Sequence, residues 1–164
     1  MTVTNVDKNA QARTLTITSE FRAPIERVWK IWSDPRQLER WWGPPTYPAT
    51  FVDHDLTPGG TITYFMTGPD GERFDGTWRV VSVDAPHFLE VEDADVDDDG
   101  VPLDGHGITT LRIALDERAG GGTRMTIRTA FSALEALDEM GAGFAEGIGV
   151  GLDQIDALLA RVGA

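Results

Sequence analysis

The chain contains no cysteine, which excludes disulfide stapling, thiolate catalysis, CxxC redox chemistry and cysteine-ligated zinc. Long apolar runs are also missing: no stretch approaches the roughly 18 uncharged apolar residues of a membrane-spanning helix, and residues 1–11 lack the basic start and apolar core of a signal peptide. A soluble, cytoplasmic protein is the expectation. Positive charge is scarce, with 14 Lys and Arg against 27 Asp and Glu and a net charge of −13. Such a surface excludes a sequence-independent grip on nucleic acid or insertion into anionic membranes. Only 3 histidines occur, His54, His87 and His106, with no HExxH spacing, so neither a metal site nor a cofactor is expected. The 4 serines lie outside any G-x-S-x-G nucleophile elbow.

What is present reads as one domain. A chain of 164 residues buries roughly 70% of its unfolded surface. Residues 1–12 are polar and read as a flexible leader before a single domain over 13–162. Residues 14–22 alternate Leu15, Ile17, Ser19 and Phe21 against Thr16, Thr18 and Glu20, the period of a half-buried strand. Pro24 suits a first helical turn, and Ile25, Val28, Trp29 and Trp32 fall on one helical stripe. Asp34 and Pro35 restart a second short helix as N-cap and first residue, which ends near Arg40 ahead of Trp41-Trp42-Gly43-Pro44-Pro45.

From residue 47 to 131 the pattern is strand and turn, punctuated by Pro58-Gly59-Gly60, Pro69-Asp70-Gly71 and Gly120-Gly121-Gly122. Six strands are predicted there, at about 47–55, 60–67, 72–84, 87–94, 106–116 and 123–131, antiparallel because their connections are hairpin-sized. Ser132 and Glu135 form a capping box, after which Phe144, Ile148, Leu152, Ile155, Leu159 and Val162 lie along one face of a final helix. The fold class is therefore α+β: a curved, seven-stranded antiparallel sheet around a long C-terminal helix, with two short helices after the first strand.

Ala23-Pro24-Ile25-Glu26-Arg27-Val28-Trp29-Lys30-Ile31-Trp32, Asp34-Pro35 and Leu38-Glu39-Arg40-Trp41-Trp42-Gly43-Pro44 resemble the N-terminal signature of the family of activators of heat-shock-protein-90 ATPase. Pro58-Gly59-Gly60, Gly68-Pro69-Asp70-Gly71, Gly76-Thr77-Trp78 and Gly121 to Thr126 match further landmarks in the same order. The resemblance implies the helix-grip fold of the START and Bet v 1-like superfamily (SRPBCC), with a hydrophobic cavity between sheet and C-terminal helix. It does not imply chaperone activation, which in the eukaryotic relatives needs an additional N-terminal domain. Where the family usually carries an aromatic after Glu-Gly, this chain has Ile148, which implies a larger cavity.

Several constellations invite chemistry. Gly143, Gly147, Gly149 and Gly151 interrupt the final helix at a cost of about 3–4 kcal/mol relative to alanine, offset by close packing, a ligand or a homodimer contact. Residues 95–100 carry D-x-D-x-D-G, the first half of a calcium loop, but His106 stands where the bidentate carboxylate belongs and Asp104 is an imperfect substitute. A solvated acidic hairpin is expected instead. Arg27, Lys30, Arg36 and Arg40 form a small basic cluster, read as surface pairs with Glu26 and Glu39 or as a contact for an anionic head group.

The functional expectation is binding of a small apolar or amphipathic molecule. The expected cavity lining is Phe144, Ile148, Leu152 and Ile155 from the helix with Tyr64, Met66, Trp78, Leu89 and Ile127 from the strands, chosen by alternation. Trp41 and Trp42 are expected at the cavity mouth. Two other classes stay open. A cyclase-, aromatase- or hydrolase-like enzyme would need an ionisable group in the cavity, for which His87, His106 and Glu90 are weak catalytic candidates. A protein-binding cofactor would use the acidic 92–104 hairpin on a basic partner.

Overall fold

The computed structural model describes residues 3–42, 46–94, 108–131, 154–155 and 159. Eight strands and two helices follow in the order β1 (Val3–Asn9), β2 (Thr14–Phe21), α1 (Ile25–Ser33), α2 (Pro35–Trp41), β3 (Ala49–His54), β4 (Thr61–Thr67), β5 (Arg73–Asp84), β6 (Phe88–Ala94), β7 (Ile108–Glu117) and β8 (Thr123–Ala130). All strands join one sheet in the order β1-β2-β8-β7-β6-β5-β4-β3, and every neighbouring pair is antiparallel. The expected count of seven is corrected to eight. The additional strand, β1, falls in the expected leader: Val3–Asn9 pairs with β2, and its described side chains from Asn5 onward are exposed, including Val6. A strand wet on both faces carries no apolar alternation, so its sequence looks like a polar tail.

The chain leaves β2 for the opposite edge, β3, and then walks back hairpin by hairpin until β8 lies beside β2. Six strand spacings of about 4.8 Å separate β2 from β3, about 29 Å if the sheet were flat. The 9 residues of α1 and 7 of α2 extend about 24 Å end to end. The helices are thus the bridge across the sheet, which explains their place in the sequence. Irregular pairing at Val3/Asn5, Phe51/Asp53 and Val80/Ser82 bends the strands locally.

Local chemistry fixes the bridge. Pro24 is the N-cap of α1 rather than its first helical residue, with no side-chain cap. Ile25, Val28, Trp29, Ile31 and Trp32 of α1 are buried, the stripe expected from their spacing. Asp34 Oδ1 accepts a hydrogen bond of 2.9 Å from Arg36 N, and Pro35 takes the first helical position of α2, as the sequence indicates. α1 packs against α2 and β7, while α2 packs against β3.

One sheet face is the core. Leu15 and Ile17 of β2, Leu89 and Val91 of β6, Leu111, Ile113 and Leu115 of β7, and Met125 and Ile127 of β8 are buried on it. The opposite face is polar and cross-linked by ion pairs: Arg112 to Glu90 (3.0 Å), Arg79 to Glu92 (3.0 Å), and Arg118 and Arg124 to Glu20 (3.3 and 3.1 Å). Exposed pairs of this kind contribute about 0–1 kcal/mol each. Residues 154, 155 and 159 are helical, and Ile155 and Leu159 are buried in the same core.

Candidate functional site

The inner face has an aromatic end. It begins at α2, whose last turn delivers Trp41 and whose extended C-cap delivers Trp42. α2 also holds the edge strand β3: Arg36 Nη2 donates to Phe51 O at 2.7 Å, Phe51 N donates to Glu39 Oε2 at 3.0 Å, and Arg36 and Glu39 pair at 3.3 Å. Two side chains thereby occupy the backbone groups that an unpaired edge would offer to another strand. Arg36 of the expected basic cluster is accordingly committed to a structural pair. Arg27 donates from Nη2 to Leu159 O at 2.8 Å and Gln154 Nε2 donates to Trp41 O at 3.4 Å, so α1 and α2 both tie down the C-terminal segment.

With β3 held in place, Phe51 stacks on Tyr64 of β4, ring centroids 4.9 Å apart. Tyr64 meets Trp78 of β5 at 5.4 Å and Trp42 at 6.3 Å, and Trp42 meets Trp78 edge to face at 4.8 Å. Trp41 and Trp32 extend the cluster toward α1, with centroids 4.8 Å apart. Gly76 makes room for this arrangement. It lies opposite Tyr64 in the register of β4 and β5, and a Cβ at position 76 would collide with Cζ, Cε1 and Oη of Tyr64. The ring therefore lies across β5. Tyr64 and Met66 are only half-buried although they pack against the core.

Of the expected lining, Tyr64, Met66, Trp78, Leu89, Ile127 and Ile155 all belong to the core or pack on it. They are not one site. Tyr64 and Trp78 meet at the aromatic end, with Met66 further along β4, whereas Leu89 and Ile127 flank Ile113 in the aliphatic half, fully buried. Phe144, Ile148 and Leu152 lie outside the described residues, as do the glycine stripe, His106 and the acidic loop 95–104. Trp41 and Trp42 correct the expectation of a cavity mouth: they are 0% and 6% exposed, because both rings turn inward to pack on Trp32, Trp78 and Tyr64 rather than framing a rim.

The titratable candidates also find their places. Glu90 points to the polar face and pairs with Arg112, away from Leu89 and Val91. His87 sits exposed in the β5–β6 turn, with Nδ1 3.4 Å from Leu115 O. His54 Nε2 lies 3.0 Å from Trp32 O and must be the donor, since a carbonyl only accepts. Glu90 and His87 bond away from the aromatic cluster, and His54 meets it only at the backbone of Trp32. The residue that sequence reasoning missed is Asp93, half-buried and directly opposite Trp78 on one side and Thr109 on the other. Counting by twos from Leu89 and Val91 puts it on the inner face, a signal the run of acidic residues hides. Among the described residues no group of three or more His, Asp and Glu could hold a metal ion. A separate pocket of about 190 Å³ opens at the start of α1, lined by Pro24, Ile25, Glu26, Glu117, Arg118, Gly121 and Gly122; Arg118 there is engaged by Glu20.

The model of the family described as activator of Hsp90 ATPase homolog 1-like protein matches residues 22–160. The chain belongs to this family. Its helices, the Trp41-Trp42 pair and all strands from β3 to β8 lie within the match. Among solved structures, a Mycobacterium smegmatis protein is 46% identical over 98% of this chain and 99% of its own, with a TM-score of 0.86. A protein from Arthrobacter aurescens is 45% identical over 98% and 93%, with a TM-score of 0.89. A Rhodobacter sphaeroides protein, 24% identical over 96% and 97% with a TM-score of 0.80, shares the fold. No curated protein matches the chain.

Proposed function

We propose that this domain binds a small apolar or amphipathic molecule at the aromatic end of the inner sheet face, beneath the C-terminal segment, which acts as the gripped helix of a helix-grip fold. The observation that carries the reading is the unfinished burial of Tyr64 and Met66: Tyr64 stands among Phe51, Trp42 and Trp78, and Met66, two residues along β4 on the same face, packs against the core, yet both remain half-buried. Apolar side chains beside a tightly packed aromatic wall are a place where a guest gains burial at about 25 cal/mol per Å². Burial of Ile155 and Leu159, and the hydrogen bonds from Arg27 and Gln154, support the C-terminal segment as the cover.

Binding rather than catalysis fits the placement of His87 and Glu90 away from the cluster. The family description names an ATPase activator, but nothing in the site's geometry calls for a chaperone surface. The test is native mass spectrometry of protein purified from its own host, followed by titration with neutral naphthalene probes. A retained small molecule, or saturable one-to-one probe uptake weakened by Tyr64→Ala, supports the reading; a bare chain that takes up no probe refutes it.

A further inference from the structure

Four buried indoles meet in the aromatic cluster, and they divide into two pairs. Trp32 Nε1 donates to Met125 Sδ at 3.2 Å and Trp41 Nε1 donates to Ile31 O at 2.9 Å. Trp42 Nε1 and Trp78 Nε1 are buried without any hydrogen-bond partner. Indole N–H groups in protein interiors ordinarily find an acceptor, and here the helix-side pair does. The unpaired two are the rings that pack on half-buried Tyr64. Phenylalanine would supply the same apolar edge without a stranded donor, so the two nitrogens mark a place where an acceptor belongs.

Charge narrows what that acceptor is. The inner-face residues of β2 to β8 include no Lys or Arg, and Asp93 stands opposite Trp78 on the same face. A carboxylate or phosphate would enter a desolvated cluster to which the described residues of the strands offer no counter-charge and Asp93 a like one. We propose that the ligand is a neutral, flat apolar molecule bearing a carbonyl-type oxygen, which accepts hydrogen bonds from Trp42 Nε1 and Trp78 Nε1 while its body packs on Tyr64 and Met66. This inference rests on the binding reading above and specifies its ligand chemistry.

The experiment compares three probes of one shape on the full chain by fluorescence titration: 2-acetylnaphthalene, its hydrocarbon isostere 2-isopropenylnaphthalene, and 2-naphthoate. The expected result is that the ketone binds about tenfold tighter than the isostere and that naphthoate binds more weakly than the ketone. That advantage should disappear when Trp78 or Trp42 is replaced by benzothienylalanine, which keeps the ring shape and removes the donor; the wild-type comparison stands even where a variant fails to fold. Equal affinity for ketone and isostere, an advantage that survives loss of both donors, or tightest binding of naphthoate would overturn this inference while leaving the binding reading intact. Absence of binding by all three probes would overturn both.

Discussion

The two halves of the inner face are built for different ends. Across β2, β8, β7 and β6 the surface is aliphatic and closed: Ile17, Ile113, Leu111, Leu115, Met125 and Ile127 are fully buried, and Met125 also receives the Trp32 indole. Across β5, β4 and β3 it is aromatic and only partly closed, with half-buried Tyr64 and Met66 beside two indoles that lack acceptors. Both halves hold buried polar atoms without a partner, the hydroxyls of Ser19 and Thr129 in the first and the indoles of Trp42 and Trp78 in the second, so the difference lies in the half-buried side chains, which the aromatic half has in Tyr64 and Met66. The proposed binding reading places recognition in the second half and leaves stability to the first.

The largest effect should come from the closed half. Ile113→Ala removes a fully buried side chain flanked by Leu89 and Ile127 and should cost about 2–5 kcal/mol in chemical denaturation. Probe affinity of the folded fraction should be unchanged; a selective loss of affinity would break the division. Gly76→Ala, at the floor beneath Tyr64, should cost about 1–3 kcal/mol by overpacking and also disturb probe binding, since the Tyr64 ring must move. Arg27→Gln replaces the charged donor to Leu159 O with a weaker one and should cost about 1 kcal/mol, read as increased amide exchange around residue 159. Last comes Glu90→Gln, on the polar face with Arg112: a change of at most about 1 kcal/mol and no change in probe affinity. A large binding defect there would mean that Glu90 communicates with the inner face after all.

Much of the fold was legible from residue order, though the division of its inner face was not, and the exceptions have physical causes. Strands β2 to β8 declare themselves because one face is wetter than the other, and Tyr64, Met66, Trp78, Leu89 and Ile127 fall on or against the core. β1 is invisible to that logic, because its exposed described side chains give no contrast. Burial of both Trp41 and Trp42 was not legible, since a Trp-Trp-Gly-Pro-Pro stretch reads as a loop in which one ring packs and the other stays near the surface. Their burial depends on Trp32, Trp78 and Tyr64, partners far away in sequence. Which indoles find acceptors is likewise a property of tertiary packing: Trp41 is satisfied by Ile31 O and Trp42, the next residue, by nothing.

The central claim, that the aromatic half receives a small molecule, is tested most directly by following the 5 tryptophan indole N–H resonances in a 15N–1H spectrum during titration with 2-acetylnaphthalene. The account predicts saturable one-to-one shifts concentrated in the Trp42 and Trp78 signals, moving downfield as their protons gain an acceptor, with Trp29 unmoved. Signals of Trp42 and Trp78 that stay fixed at saturating probe, or shifts confined to Trp29, would contradict it.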